Sequence, residues 1–155
     1  MPTIKAFRMD GLGNKFIIVD RRKDIVNITK EKIIHLGNLE SFHREIGFDQ
    51  IIFIEREIDK AFPITIFNSD GGEVSACGNG SRCVAYLLGK DLNTKEVKLK
   101  TNNRLLNAKI VGHLDVELAM GKPIFEWNKI PLSKNLDHSN ITLNIEDKVF
   151  TDGFC

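Results

Sequence analysis

The chain has 155 residues, 42% of them hydrophobic, and 22 Lys and Arg stand against 21 Asp and Glu. That length suits one domain or part of a two-domain protein. The apolar content excludes general disorder, and the near-neutral balance without a basic block excludes nucleic acid or an anionic membrane surface as the main partner. No apolar run approaches the roughly 20 residues of a membrane span. Lys5 and Arg8 are not followed by the apolar segment of a signal peptide. The three cysteines, Cys77, Cys83 and Cys155, fit a reducing cytoplasm better than a disulfide framework. The histidines (His35, His43, His113 and His138) are scattered without metal-ligand spacing, so no metal site is expected.

In chain order, residues 4–9 read as a strand, the glycine-containing residues 11–14 as a turn, and residues 16–19 as a short apolar strand. Thr29 is placed to cap a helix. Ile33, Ile34, Leu36, Leu39 and Phe42 follow at roughly helical spacing, weakened by Gly37. A turn over 47–50 leads into strands at 51–54 and 64–67, and residues 68–73 form a polar, glycine-rich turn. After Cys77-Gly78-Asn79-Gly80 the chain reads as a short buried helix ending near Gly89. Strands are expected at 96–101, 105–111 and 114–119, the last two joined by a hairpin at Gly112-His113. Residues 124–140 are loop-like, and 141–143 and 149–150 read as short strands. Many short strands around one apolar helix predict an α+β fold, a curved and mostly antiparallel sheet wrapped on that helix.

The segment richest in chemistry is FNSDGGEVSACGNGSRC at 67–83. Cys77 stands just before a helix start, where unpaired backbone N–H groups and the positive end of the helix dipole collect. Such a terminus binds carboxylate or phosphate and favours the thiolate of a cysteine placed there. Read from chemistry alone, two alternatives stay open: an anion cradle beside a reactive sulfur, or a buried apolar cysteine followed by a turn. Cys83 falls inside the apolar helix and reads as core. A Cys77–Cys83 disulfide would strain the helix start. Neither GNGSRC nor GLGNKF completes a dinucleotide fingerprint or a P-loop, so no nucleotide cofactor is expected.

GLGN at 11–14, GFDQ at 47–50, FNSDGGE at 67–73, CGNGSRC at 77–83 and MGKPIFEW at 120–127 occur in that order. Together they resemble the N-terminal half of diaminopimelate epimerase. The resemblance covers nearly all of the chain and implies a barrel-like half of a pseudo-symmetric two-domain fold, with residues 1–155 as the N-terminal epimerase domain. It implies an isomerase that interconverts LL- and meso-diaminopimelate for lysine and peptidoglycan precursor synthesis. The reaction would use no cofactor and two cysteines, one taking the α-proton and the other returning one to the opposite face. Carried over by position, Cys77 is the first cysteine. Asn14, Gln50 and Asn68 would hold polar groups of the substrate, and Gly78 and Asn79 would offer backbone N–H groups to the carboxylate at the reacting carbon.

Asp10, Lys15, Glu45 and Gly72 depart from the family's usual residues, the first two beside the substrate loop. Cys155 lacks following glycines and a helix, so it is not expected to serve as the second catalytic cysteine. The chain is therefore expected to be a fragment or an incomplete gene product, inactive alone. Its expected partners are the small-molecule substrate and either a second copy of the chain or a separate C-terminal half. Two other readings remain: another amino-acid racemase of the same fold, and a non-catalytic half-domain that binds ligand or pairs with another chain.

Overall fold

A computed structural model describes residues 5–24, 26–38, 40–41, 44–45, 47–130 and 132–153. The chain divides into two compact units, Met1–Met120 and Gly121–Cys155.

The first unit runs β1 (Ala6–Gly11), β2 (Asn14–Asp20), α1 (Lys30–Gly37), β3 (Glu40–Ser41), β4 (Arg44–Glu45), β5 (Gln50–Ile54), β6 (Phe62–Asn68), β7 (Glu73–Val74), α2 (Gly78–Asp91), β8 (Glu96–Lys100), β9 (Leu105–Gly112) and β10 (Asp115–Ala119). One sheet has the order β1-β2-β5-β6-β8-β9-β10, with β7 attached to β6. Pairing is antiparallel at β1–β2, β5–β6, β6–β7, β8–β9 and β9–β10, and parallel at β2–β5 and β6–β8. Helix α2 touches both β1 and β10, the opposite ends of that order, as well as strands between them. The sheet therefore curls around α2, as the sequence predicts.

Strand composition follows which faces are covered. In β2 and β5, Phe16, Ile18, Ile52 and Ile54 face the core around α2, while Val19, Ile51 and Phe53 join Ile33 of α1 in a second cluster on the other face. Burial on both faces explains why these two strands are unbroken apolar runs, as is usual for a parallel pair linked by a helical crossover. By contrast β8 alternates, with Val97 and Leu99 buried and Glu96, Lys98 and Lys100 exposed, because only its inner face is covered. Helix α2 is buried around most of its circumference and supplies Cys83, Val84, Ala85, Tyr86 and Leu88 to this core.

Several boundaries move from the sequence expectation. Thr29 does cap α1, accepting from the Lys32 N–H at 3.4 Å, but the helix stops at Gly37 instead of running on toward Phe42. There the chain passes close to Ser69, so that a β-carbon on Gly37 would lie 2.9 Å from the Ser69 Cβ, and β3 pairs with β4 directly afterwards. Leu39 and Phe42 lie outside the described residues, as do Ile4, His43 and Cys155. The β9–β10 turn is centred on His113-Leu114, not Gly112-His113. Gly112 pairs with Asp115 across the hairpin, and Leu114 takes the left-handed conformation at φ 58°. The two-residue β7 was not expected, since nothing in Glu73-Val74 has strand periodicity.

The second unit has a 3-10 turn at Trp127–Lys129 and an antiparallel hairpin, β11 (Ile141–Ile145) with β12 (Lys148–Gly153). Phe125 stacks on His138 at 5.0 Å. Ile141 is buried, whereas Leu143, Ile145, Val149 and Phe150 are exposed. Among the described residues no helix is long and apolar enough to cross a membrane.

Candidate active site

Cys77 is the N-cap of α2, in extended conformation (φ −147°, ψ 105°), and its sulfur accepts the Gly80 N–H at 3.3 Å. The Cys77 carbonyl accepts the Ser81 N–H at 2.9 Å, the first bond of the helix ladder. A side-chain acceptor at the N-cap satisfies one of the donors that every helix start leaves over. Sulfur takes here the role usually played by a Ser or Asp oxygen. Gly78 and Asn79 are the first two residues of α2, where a helix has no carbonyl of its own to take the N–H groups, and they adjoin a half-buried sulfur. Gly80 permits the approach of this turn to the sheet: a β-carbon on it would lie 2.5 Å from Ile52 Cδ1 and 3.2 Å from Phe16 Cε1.

Topology gathers the amides at the same end of the sheet. Asn14 opens β2, Gln50 opens the adjacent parallel β5, and Asn68 closes the antiparallel β6. Gln50 and Asn68 are register partners, and Gln50 Nε2 donates to Asn68 Oδ1 at 3.0 Å. Gln50 Oε1 is buried without a partner among the described residues, which leaves an acceptor in need of a donor. Asn79 Nδ2 donates to Asn14 Oδ1 at 3.0 Å, tying the α2 start to the β1–β2 hairpin. That hairpin turns through Leu12 (φ 50°) and Gly13 (φ 90°). All six residues singled out in the sequence thus fall on the α2 N-terminus or on the adjoining strand ends.

Two further residues belong to this network. Arg82 Nη1 donates to Asn79 Oδ1 at 3.1 Å, and Asp49 Oδ2 accepts from Asn14 Nδ2 at 3.3 Å and from the Lys15 N–H at 2.8 Å. Both lie inside the GFDQ and CGNGSRC motifs, but their partners are distant in sequence, so residue type alone did not mark them. Asp10 and Lys15 oppose each other in the β1–β2 register. Cys83 is 6% exposed and packs among the α2 core residues, as expected. Burial pushes its thiol pKa up, with Cys77 and Asp10 adding to the effect. Among the described residues no group of His, Cys, Asp or Glu side chains is arranged to hold a metal. A separate concavity of about 690 Å³ lies over the outer face of β8–β10 and contains none of these site residues.

Residues 6–126 match the family model described as diaminopimelate epimerase. The chain is 45% identical over 145 residues to a diaminopimelate epimerase of Pelagibacter ubique (strain HTCC1062), covering 94% of this chain and 52% of that protein. It is 38% identical to one from Acidiphilium cryptum (strain JF-5), covering 88% of this chain and 48% of that protein. The chain therefore spans about half the length of these relatives. Among solved structures, a Clostridium difficile protein of the phenazine biosynthesis PhzC/PhzF type superposes with TM-score 0.53 at 17% identity, covering 69% of this chain and 40% of that one. A predicted epimerase from Pseudomonas aeruginosa superposes with TM-score 0.52 at 18% identity, covering 71% and 40%. These superpositions show a shared fold, and the family match over most of the chain shows that it belongs to the diaminopimelate epimerase family.

Proposed function

We propose that residues 1–155 form the N-terminal part of an epimerase that interconverts LL- and meso-diaminopimelate, and that Cys77 is one of its two proton-transferring groups. The observation that carries this reading is the α2 N-terminus: a sulfur receiving the Gly80 N–H, beside Gly78 and Asn79 in the first turn, whose N–H groups the helix itself does not use. In this scheme the Cys77 sulfur acts as the base. When the thiolate removes the α-proton, the S–H bond forms and the C–H pair of electrons passes toward the adjacent carboxylate. N–H donors already in place stabilise that developing charge without reorganising. An acid on the opposite face then supplies the proton that completes inversion, and this second group comes from outside the described residues. Gln50 and Asn68, paired across the adjoining strand ends, are assigned to further polar groups of the substrate. No bound cofactor has a role in this scheme.

The test is a titration of the ¹⁵N-labelled chain with meso-diaminopimelate, followed by NMR. The Gly78, Asn79 and Gly80 backbone amides are expected to shift together and to saturate. Saturable shifts confined to other surfaces, with these amides unmoved, overturn the assignment.

A further inference from the structure

We propose that Arg82 and Asp49 are positioning residues: they fix which way the side-chain amides of Asn79 and Asn14 point, and so make this end of the sheet a hydrogen-bond-donating surface. An Asn amide can turn end for end at almost no steric cost, exchanging its oxygen and its NH₂. Its orientation must therefore be imposed by neighbours of fixed polarity. Arg82 has only N–H donors, so the Asn79 atom 3.1 Å away must be Oδ1. Asn79 Nδ2 is then directed at Asn14, which must present Oδ1 at 3.0 Å. Asn14 is left with Nδ2 toward Asp49 Oδ2 at 3.3 Å, and a carboxylate only accepts.

The two ends agree. A guanidinium at one and a carboxylate at the other specify the same sense along the whole row. Turning either amide alone would set donor against donor at one junction and acceptor against acceptor at the next. Asp49 is itself held by β2 and by the turn that follows β6. Its carboxylate takes the Lys15 N–H, its own N–H donates to the Lys15 carbonyl at 2.9 Å, and its carbonyl accepts from Ser69 at 3.0 Å. Among the described residues each amide spends its oxygen and one N–H inside the row, and the second N–H of each NH₂ is left over. Those two donors add to the first-turn backbone N–H groups of Gly78 and Asn79, a set suited to a carboxylate and not to an ammonium. This last step rests on the proposed function, because it takes Asn14 and Asn79 to face the substrate.

The experiment has a ligand-free arm and a ligand arm. In the ligand-free wild-type chain, NMR should detect a scalar coupling across the hydrogen bond from Asn79 Nδ2 to Asn14 Cγ. The side-chain amides of both residues should each give one sharp pair of signals. Arg82→Lys, which keeps a pure donor, should leave them so. Arg82→Gln and Asp49→Asn, each able to donate or accept, should broaden or double them. Absence of the coupling in the wild type, or unaltered amide signals in both Gln and Asn variants, overturns the positioning role. In the ligand arm, meso-diaminopimelate should bind about tenfold more weakly to Asp49→Asn and Arg82→Gln and unchanged to Arg82→Lys, the size expected for losing one oriented bond to a charged group. Equal affinity in all variants overturns the donor-surface inference. If the wild type binds no diaminopimelate while the amide signals behave as stated, the proposed function fails and the positioning role stands.

Discussion

Gly80 gives its backbone N–H to the Cys77 sulfur at 3.3 Å, while its own Cα is pressed against the core, where an added β-carbon would lie 2.5 Å from Ile52 Cδ1. Elsewhere in a helix, Gly→Ala gains about 0.5–1 kcal/mol of helix stability. Here Ile52 and Phe16 are both fully buried, and overpacking a tight core costs about 1–3 kcal/mol. The second effect wins. Gly80→Ala is expected to lower the unfolding free energy in a urea titration, and a stabilised variant would contradict the packing described.

Ser81 is a case of the opposite sign. Its hydroxyl is fully buried and has no hydrogen-bond partner among the described residues. An unsatisfied buried hydroxyl costs about 1–3 kcal/mol, and Ala is the better helix former. Ser81→Ala is therefore expected to stabilise the chain by about 1 kcal/mol in the same titration. A loss of stability would mean that the hydroxyl has a partner.

How far these features could be read in advance depended on how local their causes are. The α2 start was legible because Cys77-Gly78-Asn79-Gly80 carries its own conformational reasons, a capping side chain and small residues, within four positions. The apolar runs of β2 and β5 announced strands. Their parallel pairing and burial on two faces depend on α1 packing from outside, and a short apolar run does not encode that. The β9–β10 turn was misplaced by one residue because Gly112 attracted the turn, while Leu114 adopts the left-handed conformation. Residue type alone does not mark Asp49 and Arg82 as network members, because their partners Asn14 and Asn79 reach them only through the fold.

Arg22 joins the end of β2 to the last turn of α2. It contacts Asp20 at 2.8 Å and Asp91 at 2.7 Å. The hydrogen bond from Arg22, working against burial, holds the Asp20 carboxyl below the usual carboxylate range. A carboxyl with a lowered folded-state pKa stabilises the fold fully above its unfolded value, about 3.9, and that contribution is lost as pH falls through the folded value. Asp20→Asn is thus expected to cost about 1–3 kcal/mol at neutral pH, as for a lost hydrogen bond to a charged group. The difference from wild type should narrow as the pH drops below about 4. Urea titrations at pH 7 and pH 3 check this, and a gap that stays constant would contradict the ion pair.

Under the proposed two-base scheme, with Cys77 the one proton-transferring group assigned among the described residues, inversion should not complete on this chain alone. Incubated with LL-diaminopimelate, the 155-residue chain is expected to yield no meso product by chiral chromatography. Steady turnover by this chain alone would defeat the two-base scheme.

On the proposed function Cys77, at the head of α2, is the reactive sulfur that substrate covers, while Cys83 is core. Alkylation by iodoacetamide in the folded chain, followed site by site by mass spectrometry with and without diaminopimelate, tests it most directly. Cys77 should be modified faster than Cys83, and saturating diaminopimelate should slow its modification and not that of Cys83. Equal rates at the two cysteines, faster labelling of Cys83, or no protection of Cys77 by diaminopimelate would contradict the account.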